Sequence, residues 1–191
     1  NFIPNWGVEK GKFVLIDNIL SDSREKLYFD TDINFGGGSI QANDFNNDGK
    51  LEIMISTQNN HENGNGGYST NVPVKIITFN ENGTIIEQQV GEPMGVHDST
   101  CGDVDNDGDV DLLVWLFSVT NITTRPFLYL NDGSGNFTLT NNFESFEGLE
   151  NILNNQGPYP VISVEFYDID NDNNLDIICG YSLDDFADTN F

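Results

Sequence analysis

Three stretches of this 191-residue chain superpose without a gap. They are Asp44-Phe45-Asn46-Asn47-Asp48-Gly49-Lys50-Leu51-Glu52-Ile53, Asp103-Val104-Asp105-Asn106-Asp107-Gly108-Asp109-Val110-Asp111-Leu112 and Asp168-Ile169-Asp170-Asn171-Asp172-Asn173-Asn174-Leu175-Asp176-Ile177. Their starts lie 59 and 65 residues apart, and 12 of the 31 acidic residues fall within their 27 loop positions. Self-similarity at such a period marks a repeat architecture, in which each unit buries its apolar face only against its neighbours. Within each loop, oxygen-bearing side chains stand at positions 1, 3, 5 and 9 and a turn residue at position 6. A hard cation such as calcium takes that pattern, with the carbonyl of position 7 as a further oxygen. Gly49 and Gly108 at the turn permit positive φ, and Asn173, in the third loop, is the next most tolerant residue type. Without a cation, carboxylates about 4 Å apart repel by roughly 4 kcal/mol per pair at an effective dielectric near 20.

Position 12 excludes the helix-loop-helix calcium hand. That motif needs a bidentate Glu there, whereas this chain has Ile55, Val114 and Cys179. Each loop instead runs into a short apolar stretch: Leu51–Ile55, Val110–Phe117 or Leu175–Cys179. Alternating stretches precede two of them, Ser39-Ile40-Gln41-Ala42 and Ile162-Ser163-Val164-Glu165-Phe166, so each loop is expected to join two antiparallel strands. Further hairpins are expected at Val74–Phe79 through Asn80-Glu81-Asn82-Gly83 into Thr84-Ile85-Ile86. A second such hairpin is Phe127–Leu130 through Asn131-Asp132-Gly133-Ser134-Gly135 into Asn136–Leu139. The unit is four short strands in about 60 residues, with no convincing helix.

The loop pattern, with Leu130-Asn131-Asp132-Gly133-Ser134-Gly135-Asn136-Phe137 later in the unit, resembles the FG-GAP/VCBS repeat. That repeat is the blade of integrin-α-like β-propellers and of many secreted bacterial proteins. The resemblance implies an all-β fold of four-stranded antiparallel blades, present as a partial ring of about three blades' worth. The units are read as 1–17, the end of a preceding blade; 38–90 and 96–140, two blades; and 161–191, the first half of another. The chain is accordingly expected to be part of a longer ring, its partners including the remaining blades of a longer chain or complex.

The resemblance also implies about three calcium ions, one per loop. Carried over residue by residue, the side-chain ligands are Asp44, Asn46, Asp48 and Glu52; Asp103, Asp105, Asp107 and Asp111; and Asp168, Asp170, Asp172 and Asp176. The carbonyl donors are Lys50, Asp109 and Asn174. Glu52 is one methylene longer than the usual Asp and Asn173 replaces the usual Gly, so the second loop is the closest match.

In such a blade the loops alternate between two faces, which places recognition opposite the calcium loops. Candidate ligand-binding residues there are His61 and Tyr68, in the Gly- and Asn-rich stretch 58–68, and His97 and Asp98, where an inner strand begins. A mobile solvated loop and an ordinary polar channel lining are the plainer readings of those two places.

Composition narrows the partners. Seven basic residues against 31 acidic give a formal charge of −24, which disfavours nucleic acid and anionic membranes, since both call for a basic patch. No run of about 18 apolar residues exists to insert in a membrane. Cys101 and Cys179 do not make a disulfide scaffold and read as two buried thiols, with a bridge or a reactive thiol as alternatives. No nucleophile elbow, phosphate-cradling loop or His-Glu-x-x-His is present. The expectation is a non-enzymatic, calcium-stabilised segment of a secreted or cell-surface protein that mediates adhesion or binds glycan or protein. Two alternatives stand beside it: a calcium-dependent enzyme resembling polysaccharide lyases, and a purely structural subunit of a surface assembly.

Overall fold

The structure is a computed structural model that describes residues 11–16, 26–31, 39–56, 74–80, 84–92, 96–116, 126–140 and 161–181. Among these there are twelve strands and no helix, hence none long and apolar enough to cross a membrane. Strands β3 (Ile40–Asn43), β4 (Glu52–Ile55), β5 (Val74–Phe79) and β6 (Ile85–Val90) pair in chain order as one antiparallel meander. Strands β7 (Val96–Gly102), β8 (Asp111–Leu116), β9 (Pro126–Asn131) and β10 (Phe137–Thr140) form a second sheet of the same topology. Strands β11 (Val161–Tyr167) and β12 (Asp176–Tyr181) repeat the first pair of a third unit. Ahead of them, β1 (Gly11–Ile16) pairs with β2 (Lys26–Thr31), a strand the sequence reading did not include. The architecture is all-β, with the meandering four-stranded sheets of a partial propeller.

Side-chain alternation along each strand decides which units it joins. On β8, Leu112 and Val114 enter one core with Phe45, Met54, Val74, Ile76, Val90, Val96 and Tyr129. The intervening Leu113 and Trp115 point the other way and pack with Val164, Phe166, Ile177 and Cys179 of the third unit. All four are fully buried, so β8 reads as a continuous apolar run because both its faces are covered. Burying side chains of this size contributes about 1.5–3 kcal/mol each.

The first strands of successive units are tied to one another by side-chain hydrogen bonds. Ser99 N–H donates to Ser39 Oγ at 2.9 Å, and Cys101 N–H to Gln41 Oε1 at 2.9 Å, which locks β7 to β3. Val164 N–H donates to Asp98 Oδ2 at 2.8 Å, and Thr100 Oγ1 donates to Glu165 Oε2 at 3.1 Å, which locks β11 to β7. Ser39, Ser56 and Ser99 also join their hydroxyls, at 2.7 to 2.9 Å, beneath the first junction.

Equivalent loop positions differ in exposure according to which neighbour covers them. At position 2, Phe45 is 1% exposed and meets the Phe137 ring edge-on, with ring centres 6.1 Å apart, whereas Ile169 is 57% exposed. At position 8 the order reverses. Leu51 is 64% exposed, while Val110 is half-buried against the core it shares with Phe45 and Met54 of the first unit, and Leu175 is half-buried beside Gly102 of the second. Position 2 therefore packs forward and position 8 backward along the chain of units.

Candidate functional site: three acidic loops

Each loop closes on itself by the same hydrogen bonds. The position 1 carboxylate receives the N–H groups of positions 5 and 6. Asp44 takes Asp48 and Gly49 at 3.1 and 2.8 Å, Asp103 takes Asp107 and Gly108 at 3.1 and 3.0 Å, and Asp168 takes Asp172 and Asn173 at 3.0 Å each. The position 5 carboxylate then receives the N–H of position 7. Asp48 takes Lys50 at 2.9 Å, Asp107 takes Asp109 at 2.9 Å and Asp172 takes Asn174 at 2.8 Å. Finally the position 9 carboxylate, on the strand after the loop, receives the N–H of position 2. Glu52, Asp111 and Asp176 do so from Phe45, Val104 and Ile169, each at 3.0 Å. The longer Glu52 thus makes the same closing bond as the two aspartates.

Such a tight path needs left-handed backbone at two places. At position 6, Gly49 and Gly108 have φ of 85° and 94°, and Asn173 reaches 68°. Asn is the residue that visits this region most readily after Gly, so the third loop keeps the shape of the other two. At position 4, Asn47, Asn106 and Asn171 have φ of 57°, 61° and 61°. The sequence signal for this second requirement is the same residue type at position 4 of all three loops.

The closure gathers oxygen atoms. In the second loop, carboxylate oxygens of Asp103, Asp105 and Asp111 all lie within 4.8 Å of one another, and in the third loop those of Asp168, Asp170 and Asp176 do the same. Asp107 and Asp172, at position 5, stand outside these groups of three. In the first loop Asn46 replaces an acid, and its Nδ2 lies 3.4 Å from Glu52 Oε1. Burial raises the pKa of Glu52 and of Asp111, and the neighbouring acids of each loop push the same way. For Asp105 desolvation and then the Asp107 charge act in that direction. Clustered carboxylates whose ionised form is disfavoured gain most when a cation neutralises them. Oxygen-only donors in this number suit a hard divalent ion.

A turn of the second unit abuts the loop of its own unit and the loop of the first. Asn131, buried at the end of β9, donates its side-chain amide to Phe45 O at 2.8 Å and to Val110 O at 3.1 Å. Its main-chain N–H donates to Asp111 Oδ1 at 2.8 Å, and its Oδ1 accepts Gly135 N–H at 3.2 Å. Gln88 Nε2 reaches Gly135 O at 2.7 Å. In the sequence Asn131 was only the first residue of a hairpin turn.

The family model described as FG-GAP-like repeat matches residues 44–114 and again 103–179. Each match begins at position 1 of one loop and ends in the strand after the next. The chain belongs to the FG-GAP-like repeat family. Comparison with curated proteins gives no match. The matched segments include all three loops, strands β4 to β6 of the first sheet and the whole of the second four-stranded sheet.

Of the residues expected to bind a ligand on the other face, His61 and Tyr68 lie outside the described residues, as does the side chain of His97. Asp98 is placed. Its Oδ1 accepts Ser99 N–H at 2.9 Å within β7, and its Oδ2 accepts Val164 N–H, the bond that joins β7 to β11.

Proposed function

We propose that the three loops each hold one calcium ion and that these ions staple a propeller segment used outside the cell for adhesion or for binding glycan or protein. The observation that carries this reading is the convergence of carboxylate oxygens within 4.8 Å at positions 1, 3 and 9 of two loops. The side-chain ligands are then Asp44, Asn46, Asp48 and Glu52; Asp103, Asp105, Asp107 and Asp111; and Asp168, Asp170, Asp172 and Asp176. Lys50, Asp109 and Asn174 add main-chain carbonyls. The family supports the setting, since FG-GAP-like repeats typically occur in extracellular proteins, where millimolar calcium fills loops of this kind.

The ions act on the fold rather than on a substrate. Each sits between the first two strands of a unit, where it neutralises clustered acids and fixes a turn. Recognition falls to the opposite face, to His61, Tyr68, His97 and the surroundings of Asp98. Binding rather than catalysis is the role we assign there. Thermal melting of the chain with and without a chelator tests the staple. An ion that binds only the folded state adds about 2.7 kcal/mol per site at 100 times its Kd. A large fall in Tm on chelation is expected, and an unchanged Tm contradicts the reading.

A further inference from the structure

Two contacts between loops repeat the same pairing of positions. Asn47 Nδ2 donates to Asp109 Oδ1 at 2.7 Å, and Asn106 Nδ2 donates to Asn174 Oδ1 at 3.3 Å. Both run from position 4 of one loop to position 7 of the next, across 62 and 68 residues of sequence. We infer that the loops take up calcium as a coupled series rather than as separate sites, with Asn47 and Asn106 as the positioning residues that connect each loop to the one after it. The inference rests on the calcium reading above and adds a regulation to it.

The coupling follows from where these two positions sit. Position 4 lies between the ligands at 3 and 5, in left-handed backbone that the closed loop holds. Closing one loop around an ion therefore fixes the direction of its Asn amide. Position 7 supplies the proposed carbonyl donor of the next loop, and the position 5 carboxylate already holds its N–H. Anchoring the position 7 side chain from outside removes freedom from that carbonyl before the ion arrives. An ion in one loop thus lowers the ordering cost in the next, which is positive cooperativity.

The first junction is built more strongly than the second. The Asp109 carboxylate is ionisable, and it sits so close to Gly133 that a Cβ on that glycine would lie 2.5 Å from Oδ1. A second bridge runs beside it, because Asn131 joins Phe45 O of the first loop to Asp111, the position 9 ligand of the second. At the second junction the contact is longer and both groups are neutral amides. Coupling between the first and second loops should exceed that between the second and third. By linkage it acts equally in both directions.

Two-dimensional NMR titration of the full 191-residue chain with calcium separates the sites, because the Gly49 and Gly108 amides report on the first and second loops. Asn47→Gly deletes the bridging amide at a position whose φ of 57° glycine tolerates. The expected result is a loss of calcium affinity at Gly108 of about fivefold, although the substitution is in the other loop. Asn47→Asp, which sets a carboxylate against Asp109, should weaken Gly108 further. Asp109→Ala should weaken Gly49 by a similar factor, the reciprocal effect. If both glycine amides titrate with calcium but Gly108 keeps its midpoint within about twofold in Asn47→Gly and in Asn47→Asp, the coupling is refuted and the calcium reading stands. If neither amide responds to millimolar calcium, both are refuted.

Discussion

The side-chain amide of Asn131 donates to the main-chain carbonyl of Phe45, 86 residues earlier, at 2.8 Å. One buried side chain thereby joins the third strand of one unit to the acidic loop of the unit before it. Removing it leaves the carbonyls of Phe45 and Val110 in a dry junction without that donor. An unsatisfied buried polar group costs about 1–3 kcal/mol. Asn131→Ala should therefore lower stability in urea by about that much per group left unpaired. Asn131→Asp should do no better, since a carboxylate cannot donate. Equilibrium unfolding of the two variants beside the wild type gives the comparison.

Gly133 and Gly49 both have positive φ, at 73° and 85°, but they sit in different surroundings. A Cβ on Gly49 meets nothing within 4 Å, whereas on Gly133 it runs into the Asp109 carboxylate. Gly49→Ala should cost only the left-handed backbone term, about 1 kcal/mol. Gly133→Ala adds displacement of Asp109 and with it the Asn47 contact. The fall in Tm should be clearly larger for Gly133→Ala. Equal falls would mean that Asp109 moves aside freely.

What could be read from the sequence and what could not separate along a physical line. The three loops and their flanking strands were legible because they depend on residues a few positions apart. A turn at Gly108, ligands on alternate residues and the apolar run of β8 all show in a short window. The left-handed Asn47, Asn106 and Asn171 are equally local, but Asn also suits an oxygen-donor position and so does not by itself signal left-handed backbone. Asn131, Asp98 and the Ser39–Ser99 pair were not legible in their roles. Each acts on a strand or loop about 60 to 86 residues away, and that partner is set by how the units stack. The exposure contrast between Phe45 and Ile169 has the same origin. The two occupy the same loop position and are both apolar, but only Phe45 is covered by the unit after it.

The acid dependence of the turn after β9 follows from Asp132. The Asn136 side-chain amide, and after it the Ser134 N–H, hold its carboxyl below the usual carboxylate range. A pKa lowered on folding stabilises the protein at pH above the unfolded value of about 3.9. That contribution is lost as pH falls through the lower folded value. Asp132→Asn should thus melt at lower temperature than the wild type at pH 7. The gap should close as pH drops below about 4. A gap that persists undiminished in strong acid would assign the turn's stability to hydrogen bonds that do not depend on the charge.

Cys101 and Cys179 are free thiols, each half-buried against an apolar cluster, as small hydrophobes are. Burial pushes the Cys101 thiol up to about 11 and raises Cys179 as well. At pH 8 roughly one Cys101 in a thousand is then thiolate, the reactive form. Iodoacetamide should label the native chain very slowly and label both cysteines promptly in denaturant. Fast native labelling of Cys101 would show that its strand opens readily.

The central claim is that the three acidic loops are calcium sites, and its most direct test is crystallographic. A crystal of the chain grown in millimolar calcium should give an anomalous peak in each loop. Each peak should be surrounded only by oxygen atoms at about 2.3–2.6 Å. Those oxygens should come from Asp44, Asn46, Asp48, Lys50 and Glu52 in the first loop and from the equivalent positions in the other two. Three loops that are well ordered, bathed in calcium and without a peak would contradict the account.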